Sequence, residues 1–513
     1  MNRITPERLV PALAIVAILI GCMLRFTALD HKVYWHDEAH TALRVSGNTT
    51  QSFVDGVFAN RTVSAAELLE FQHPAAAQGF QDSLRSLMSR PEHGPLYYLL
   101  ARAGFLFTDD AKLATRSVAA LLSLLLLPAA AWLWRELFFE SPVYRRQGQW
   151  VVMALLALSP FQLVYAQEAR QYSLWAAMTL VVCAALLRAR RRGAMQDWML
   201  YAFTVAVGLY THLMLAVVVL VHALWLGWVA PARLKRFAAA ILLAALLFSP
   251  WLMLFHSGLR EVGQVTDWMK VVIPFERLSN AWGLHLVRQF VDTAAPTPQP
   301  WLPAVLLLFA FALYRTARSA PVAAKRLLFL VLVITIGVVV APDLVQGGRR
   351  SQEARYLLPA FLMLMFMVAF ALTHALGSER RLQHSAALGL WVGLLALGLW
   401  SDLGYVRAET WWNKSMSSHN AEVARHIDAA ARPLVICPNG DINPGEVLSL
   451  AHEVAPATRF LLTEYDHLPA VAQLQGDVFL VNSSAVFREY FARYGEVKEV
   501  HKQGRLWRFI PGP

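Results

Sequence analysis

Cysteine and charge are scarce in this chain. Its 513 residues include three cysteines. Cys22 and Cys183 lie within apolar runs and Cys437 stands far downstream, which excludes a disulfide framework and a cysteine-rich metal site. Charged residues make up 16% of the sequence against 57% hydrophobic, and the mean hydropathy is +0.42. Soluble globular domains carry about a quarter charged residues, so this shortage excludes one. Acids are also in deficit, and the net charge is +11. The basic residues come as short clusters between apolar segments, as orientation in a bilayer requires, which argues against a nucleic-acid partner. Internal duplication of the kind seen in repeat-built transporters is not visible.

What is abundant is apolar sequence in long runs. A spanning helix needs about 20 mostly apolar residues. Eleven candidates occur, near 9–27, 113–134, 150–165, 173–188, 195–210, 212–230, 237–256, 301–314, 327–342, 355–375 and 385–403. With the N-terminus in the cytoplasm, Arg3 and Arg8, Arg145 and Arg146, "RARRR" (188–192), "RLKR" (233–236), Arg315 to Arg326, and Arg380 with Arg381 all fall inside, obeying the positive-inside rule. This arrangement requires "GPLYYLLARAGFLF" (94–107), short and interrupted by Arg102, to lie in the interface plane rather than cross. "LIGC" (19–22) resembles a lipoprotein cleavage site, but cleavage would discard the first span.

The fold class expected is therefore mainly α: a polytopic membrane helical bundle of about 11 spans over 1–403. The first external loop, 28–111, should hold interfacial helices. The tail, 404–513, should form a small extracytoplasmic α/β domain, since "PLVIC", "RFLL" and "DVFLV" read as strands between helical stretches. Asn443 with Pro444 and "NSS" (482–484) should start helices, and a hairpin should turn at "KQGR" (502–505).

Polar residues gather at span ends on the external side. "YWHDEAH" (34–40) follows the first span, "YAQEARQYS" (165–173) follows the third, Tyr210 to His212 end the fifth, and "GGRRSQEARY" (347–356) precedes the tenth. Isolated interfacial charges are ordinary solvated residues, but such clusters on one face suit a lipid-fed active site.

In order, "DEA" (37–39), "GPLYYLL" (94–100), "LSPFQLVYAQEARQYSL" (158–174) and "ARYLLPA" (354–360) resemble the polytopic glycosyltransferases of the GT-C class. The match is to the bacterial branch related to protein O-mannosyltransferases and the lipid A aminoarabinose transferase, and it covers about 8–403. This chain has "HGPLYY" where two prolines often stand. The resemblance implies an inner-membrane enzyme that transfers a sugar from a polyprenyl phosphate to an extracytoplasmic lipid, glycan or protein.

Inverting transfer needs a base for the acceptor proton and cations for the departing phosphate. By the resemblance, Asp37 is the base, with Glu38 beside it to orient the loop or bind metal, and Glu168 is the second acidic position, able to hold a divalent ion or the acceptor. Arg170 either pairs with Glu168 or meets the phosphate. Arg355 is the expected phosphate ligand, because a guanidinium presents parallel donors, and Tyr356 and Lys270 could assist. Arg349 and Arg350 read as headgroup contacts. His31, His36 and His40 suggest zinc by spacing, yet no recognised pattern supports it, and hydrogen-bonding roles fit better. No cofactor is required, although a divalent ion shared by Asp37 and Glu168 is compatible with the chemistry. The rival readings are a transporter or flippase of a lipid-linked or glycan substrate, and an assembly partner whose external domain binds other proteins.

Overall fold

A computed structural model describes residues 6–257, 267–298, 300–440, 442–464 and 468–512. Arg3 and part of the segment between the expected spans 237–256 and 301–314 lie outside the described residues. The chain divides into two compact units. One comprises Met1–Thr27, Arg90–Tyr97 and Ala119–Val406, and the other Ala28–Ser89, Tyr98–Val118 and Arg407–Pro513.

Every apolar run expected to span is helical, and all but the start of the run 113–134 lie in the first unit. Among the described residues, eight helices are long and apolar enough to cross a membrane. A ninth crossing forms if the bent pair Tyr144–Ala157 and Pro160–Gln167, which meet at 59°, counts as one. The remaining two candidates are the 17-residue helix Met195–Thr211 and the 15-residue helix Leu215–Val229. Tyr172–Arg192 and Ala354–Leu376 are buried nearly all round, whereas Pro231–His256 and Leu302–Ser319 expose most of their surface. The first two are thus central in the bundle and the others peripheral.

The bend that shapes the candidate site has an identifiable cause. The helix Pro142–Ala157 stops where its last carbonyls lose partners, and Arg25, fully buried, supplies them: Nη1 donates to Ala157 O at 2.9 Å and Nη2 to Leu156 O at 3.2 Å. Two glycines let neighbouring helices close on this break. A Cβ on Gly21 would stand 2.3 Å from Ala157 O, and one on Gly398 2.0 Å from Leu158 O. Pro160 then opens the short helix Pro160–Gln167 at a position that needs no N–H.

The second unit carries a six-stranded sheet in the order β1-β3-β2-β4-β6-β5. The strands are β1 Arg61–Ser64, β2 Pro433–Pro438, β3 Arg459–Thr463, β4 Asp477–Val481, β5 Gly495–His501 and β6 Leu506–Pro511. β2 runs parallel to β3 and β4; the other pairings are antiparallel. Leu434, Ile436, Val478, Leu480, Phe491 and Phe509 form its core on one face. The expected tail strands and the turn at 502–505 are present. β1 was not expected: it comes from the first loop and pairs edge-on with β3, Val63 opposite Phe460. Ser484 caps its helix as expected, accepting from Phe487 N–H at 3.1 Å. Asn443 does not cap. Ile442 holds the N-cap position, and Asn443 Nδ2 donates to Pro438 O at 2.7 Å.

The first loop forms helices His36–Val45, Thr50–Val57, Ala65–Glu70 and Phe80–Met88. Leu96–Arg102 continues as a short 3-10 turn to Leu106. At roughly 18 Å this apolar stretch is too short to cross a hydrocarbon core of about 30 Å. Arg102, the residue that interrupts it, donates to Val45 O at 2.9 Å and Ser83 Oγ at 2.7 Å, and so ties the loop helices together.

Candidate active site

Asp37 and Glu38 open the helix His36–Val45, and the helical turn sends them in different directions. Glu38 turns inward and is fully buried. Its carboxylate meets Arg116 in a fork, Nε to Oε1 at 2.8 Å and Nη2 to Oε2 at 2.6 Å. It also accepts the Trp35 N–H at 3.3 Å, closing the helix start. Arg116 donates further to Leu29 O at 2.6 Å, Lys32 O at 3.0 Å and Val33 O at 2.9 Å. All five of its N–H donors are thereby engaged, and its plane lies near the rings of Tyr34 and Trp411. Trp411 in turn donates to Val33 O at 2.7 Å. Asp37 stays half-buried in the first turn, where its own carbonyl accepts from Thr41 Oγ1 at 3.1 Å.

Lys32 completes this region. Burial pushes its ammonium down to about 7, Arg116 pushes the same way and Glu38 opposes both. The three histidines do not converge on a metal. His31 Nε2 contacts Arg407 O at 3.2 Å, His36 Nδ1 lies 3.6 Å from Glu446 Oε1, and His40 stands edge-on to His36 and 3.5 Å from Thr50 Oγ1. Ser417 links the same helix starts: it accepts the His36 N–H at 3.0 Å and donates to Glu446 at 2.6 Å.

In the bundle unit, the chain leaves the short helix at Glu168, turns, and starts the long apolar helix at Tyr172. Gln167 fastens the turn to the end of the first helix, donating to Leu24 O at 2.8 Å and Thr27 O at 2.9 Å. The Arg170 N–H donates to Glu168 O at 2.6 Å, and both side chains are buried. Tyr172 is the centre of the group. The guanidinium of Arg170 lies 5.8 Å from its ring and that of Arg355 5.7 Å, while Arg355 is also 5.5 Å from the Tyr356 ring and 3.3 Å from Glu353 Oε2. Tyr165 packs edge-on to Tyr172 at 5.4 Å and lies within electrostatic reach of Glu168, Arg355 and Glu353. His212 stacks on Trp175 at 4.0 Å and feels both arginines.

The structure thus brings together Glu168, Arg170, Arg355 and Tyr356, and adds Tyr165, Tyr172 and His212. Lys270 is not drawn into this group: it is exposed and paired with Asp267 at 2.6 Å. Arg350, read as a headgroup contact, has a partner within the protein. It donates to the buried Asp343 at 2.9 Å, whose other oxygen accepts from Ser351 N–H and Oγ at 2.7 Å each, and this staple shapes the loop that delivers Arg355. The sequence reading passed over Arg116 as well. The signal was there, an arginine inside an apolar run, which by default demands a partner.

Among the described residues one trio of His, Cys, Asp or Glu is close enough to share a metal ion: His419, Glu422 and His501. It includes neither Asp37 nor Glu168. His501 Nδ1 accepts the Gly504 N–H at 2.7 Å, so Nε2 holds the proton and donates it to Glu422 at 2.7 Å. The trio is a strut between the last hairpin and the helix Asn420–Asp428.

No protein-family model and no curated protein sequence matches the chain, but its fold is shared with solved structures. It superposes on ArnT from Cupriavidus metallidurans bound to undecaprenyl phosphate with a TM-score of 0.52, at 14% identity over 98% of each chain. The apo form of ArnT gives 0.54 at the same identity and coverage. The chain has the ArnT fold. Archaeal oligosaccharyltransferase AglB from Archaeoglobus fulgidus, solved with an inhibitory peptide and a dolichol-phosphate, aligns more loosely, with a TM-score of 0.46 at 11% identity over 97% of this chain and 74% of its own. An ArnT-like fold with eight or more membrane-length apolar helices makes this chain an integral membrane protein.

Proposed function

We propose that this protein is a GT-C membrane glycosyltransferase, which moves a sugar from a polyprenyl-phosphate donor to an extracytoplasmic acceptor with inversion. The observation that carries the reading is the pair of guanidinium groups, Arg170 and Arg355, gathered over one tyrosine ring at the ends of two central helices. Buried cations at a span end suit a lipid-borne phosphate, and the leaving phosphate needs them more than it needs a proton. The ArnT structure, which carries undecaprenyl phosphate, lends the donor class.

In this reading Asp37 takes the acceptor proton. Glu38 is a positioning residue: with Arg116 it holds the helix start that presents Asp37. Glu168 balances the arginine charge and orients the acceptor or donor, and Tyr356 offers a hydroxyl beside Arg355. The N-terminus lies in the cytoplasm of a bacterial inner membrane, and the 404–513 segment lies outside it.

The test is a transfer assay with purified protein in lipid, run against a panel of radiolabelled polyprenyl-phosphate sugars. Label should become covalently joined to an acceptor, and Glu168→Gln should lower the rate without preventing donor binding. Movement of donor across sealed vesicles with no covalent product would replace the enzyme with a flippase.

A further inference from the structure

At the other end of the bundle from Arg355 lies a second polar group that the proposed reaction does not use. Arg355 stands just before the helix Leu358–Leu376 and His374 near its end, roughly 28 Å apart at 1.5 Å per residue. That is about the thickness of a hydrocarbon core. A groove of about 780 Å³ opens there, walled by Phe311, Leu372 and Leu390 and closed by Arg315, His374 and Tyr144. Its lining is mostly apolar, and among its polar groups Arg315 meets His374 and His374 meets Tyr144.

Arg315 is the unusual member. One Nη lies 2.8 Å from His374 Nδ1, and His374 itself stacks on Tyr144 at 5.9 Å. Among the described residues no carboxylate comes within ion-pair distance of Arg315, and a guanidinium with five donors is only partly satisfied by a histidine. The chain next to the groove is net basic too, with Arg145 and Arg146 after Tyr144, and Glu379, Arg380 and Arg381 after Ser378. An apolar trough ending in a cation without an anion matches one class of molecule, a lipid with acyl chains and a phosphate headgroup.

We propose that the Arg315–His374 groove binds an anionic phospholipid from the leaflet opposite the proposed active site, with the phosphate on Arg315 and the chains along Phe311, Leu372 and Leu390. This site is separate from the one that would take the donor, and it can be assayed with no transfer reaction.

The experiment uses the full protein in phosphatidylcholine vesicles doped with photoactivatable phosphatidylglycerol, followed by mass-spectrometric mapping of labelled peptides. Label should concentrate on segments around 311–315 and 371–390. Unlabelled phosphatidylglycerol should compete, and phosphatidylcholine and inorganic phosphate should not. Arg315→Gln should cut labelling about tenfold, the loss expected for one charge-assisted contact, while Arg315→Lys should retain part of it. Ala386→Trp, at an exposed position on the groove, should block labelling with the charge intact. Circular dichroism and gel filtration identical to wild type would show that the variants fold. Labelling unchanged in Arg315→Gln, retained in Ala386→Trp, equal with phosphatidylcholine, or competed by inorganic phosphate would each overturn the proposal.

Discussion

Two arginine-bearing regions of this protein surround the same side chain with different partners. Around Glu38, Arg116 is saturated, with every donor on a carboxylate or carbonyl of the unit that contains it. Around Tyr172, Arg170 and Arg355 lie against aromatic faces, and Arg355 meets Glu353 through a 3.3 Å contact rather than a fork. A saturated guanidinium has nothing left for a ligand and serves as a rivet. A guanidinium lying against a ring meets it through its face, so part of its environment is a polarisable π system rather than an oxygen. The difference teaches that the count of arginines near a site says little until their donors are traced.

The largest expected effect breaks the rivet. Arg116→Ala leaves Glu38 as an uncompensated buried charge and should cost about 3–5 kcal/mol, read as a collapse of the melting temperature in detergent. Replacing both partners, Glu38→Leu with Arg116→Met, should recover much of that stability. If the single and double variants are equally destabilised, the ion pair is not what holds the helix start.

Asp37→Asn sharpens the contrast between the adjacent acids. It should leave the melting temperature and donor binding unchanged while lowering transfer by at least about a hundredfold, the lower range for loss of a general base. Full activity in this variant would remove Asp37 from the mechanism.

Lys32 gives the first region a pH signature. Its pKa is about 7 in the folded chain against 10.5 for a solvated lysine, so between those pH values the unfolded chain binds more protons and stability rises with pH. Below about pH 7 the cost of burying the charge is fully present. From pH 6 to 9 the wild type should gain on the order of 2 kcal/mol from this group. Lys32→Met should be more stable than wild type at pH 6 and lose that part of the slope. Parallel melting curves for the two proteins across this range would assign the pH dependence elsewhere.

The smallest expected effect lies in the second region. Arg355→Lys keeps the charge but not the planar fork, and should raise the apparent KM for donor about tenfold, as loss of one charge-assisted hydrogen bond implies. Unchanged kinetics in Arg355→Lys and Arg355→Ala alike would make Arg355 a membrane anchor.

Much of this was legible in the sequence, because the constraint that wrote it is simple. A bilayer obliges every spanning backbone to satisfy its own hydrogen bonds, so runs of apolar residues become helices with little help from context. All eleven runs did so, and the tail strands and the Ser484 cap followed from equally local rules. "YAQEAR" and "ARYLLPA" stood out because ionisable residues at the ends of apolar helices are rare without a reason, and the fold brings the two segments together at Tyr172. Local rules stop where a partner lies far along the chain. Nothing near Glu38 announces that Arg116, 78 residues away, will take both its oxygens, and nothing in "GGRRSQEARY" tells Arg350, stapled to Asp343, from Arg355. β1 is four residues long, too short for alternation to show, and is a strand because the edge of β3 offers it hydrogen bonds. The break after Ala157 likewise depends on Arg25, 132 residues earlier. The sequence by itself determined which segments form apolar helices of membrane length and which residues are chemically able to serve a site. Only the tertiary structure decided which charges are spent on each other, because desolvated ions are worth nothing singly and take their roles from whatever partner the fold delivers.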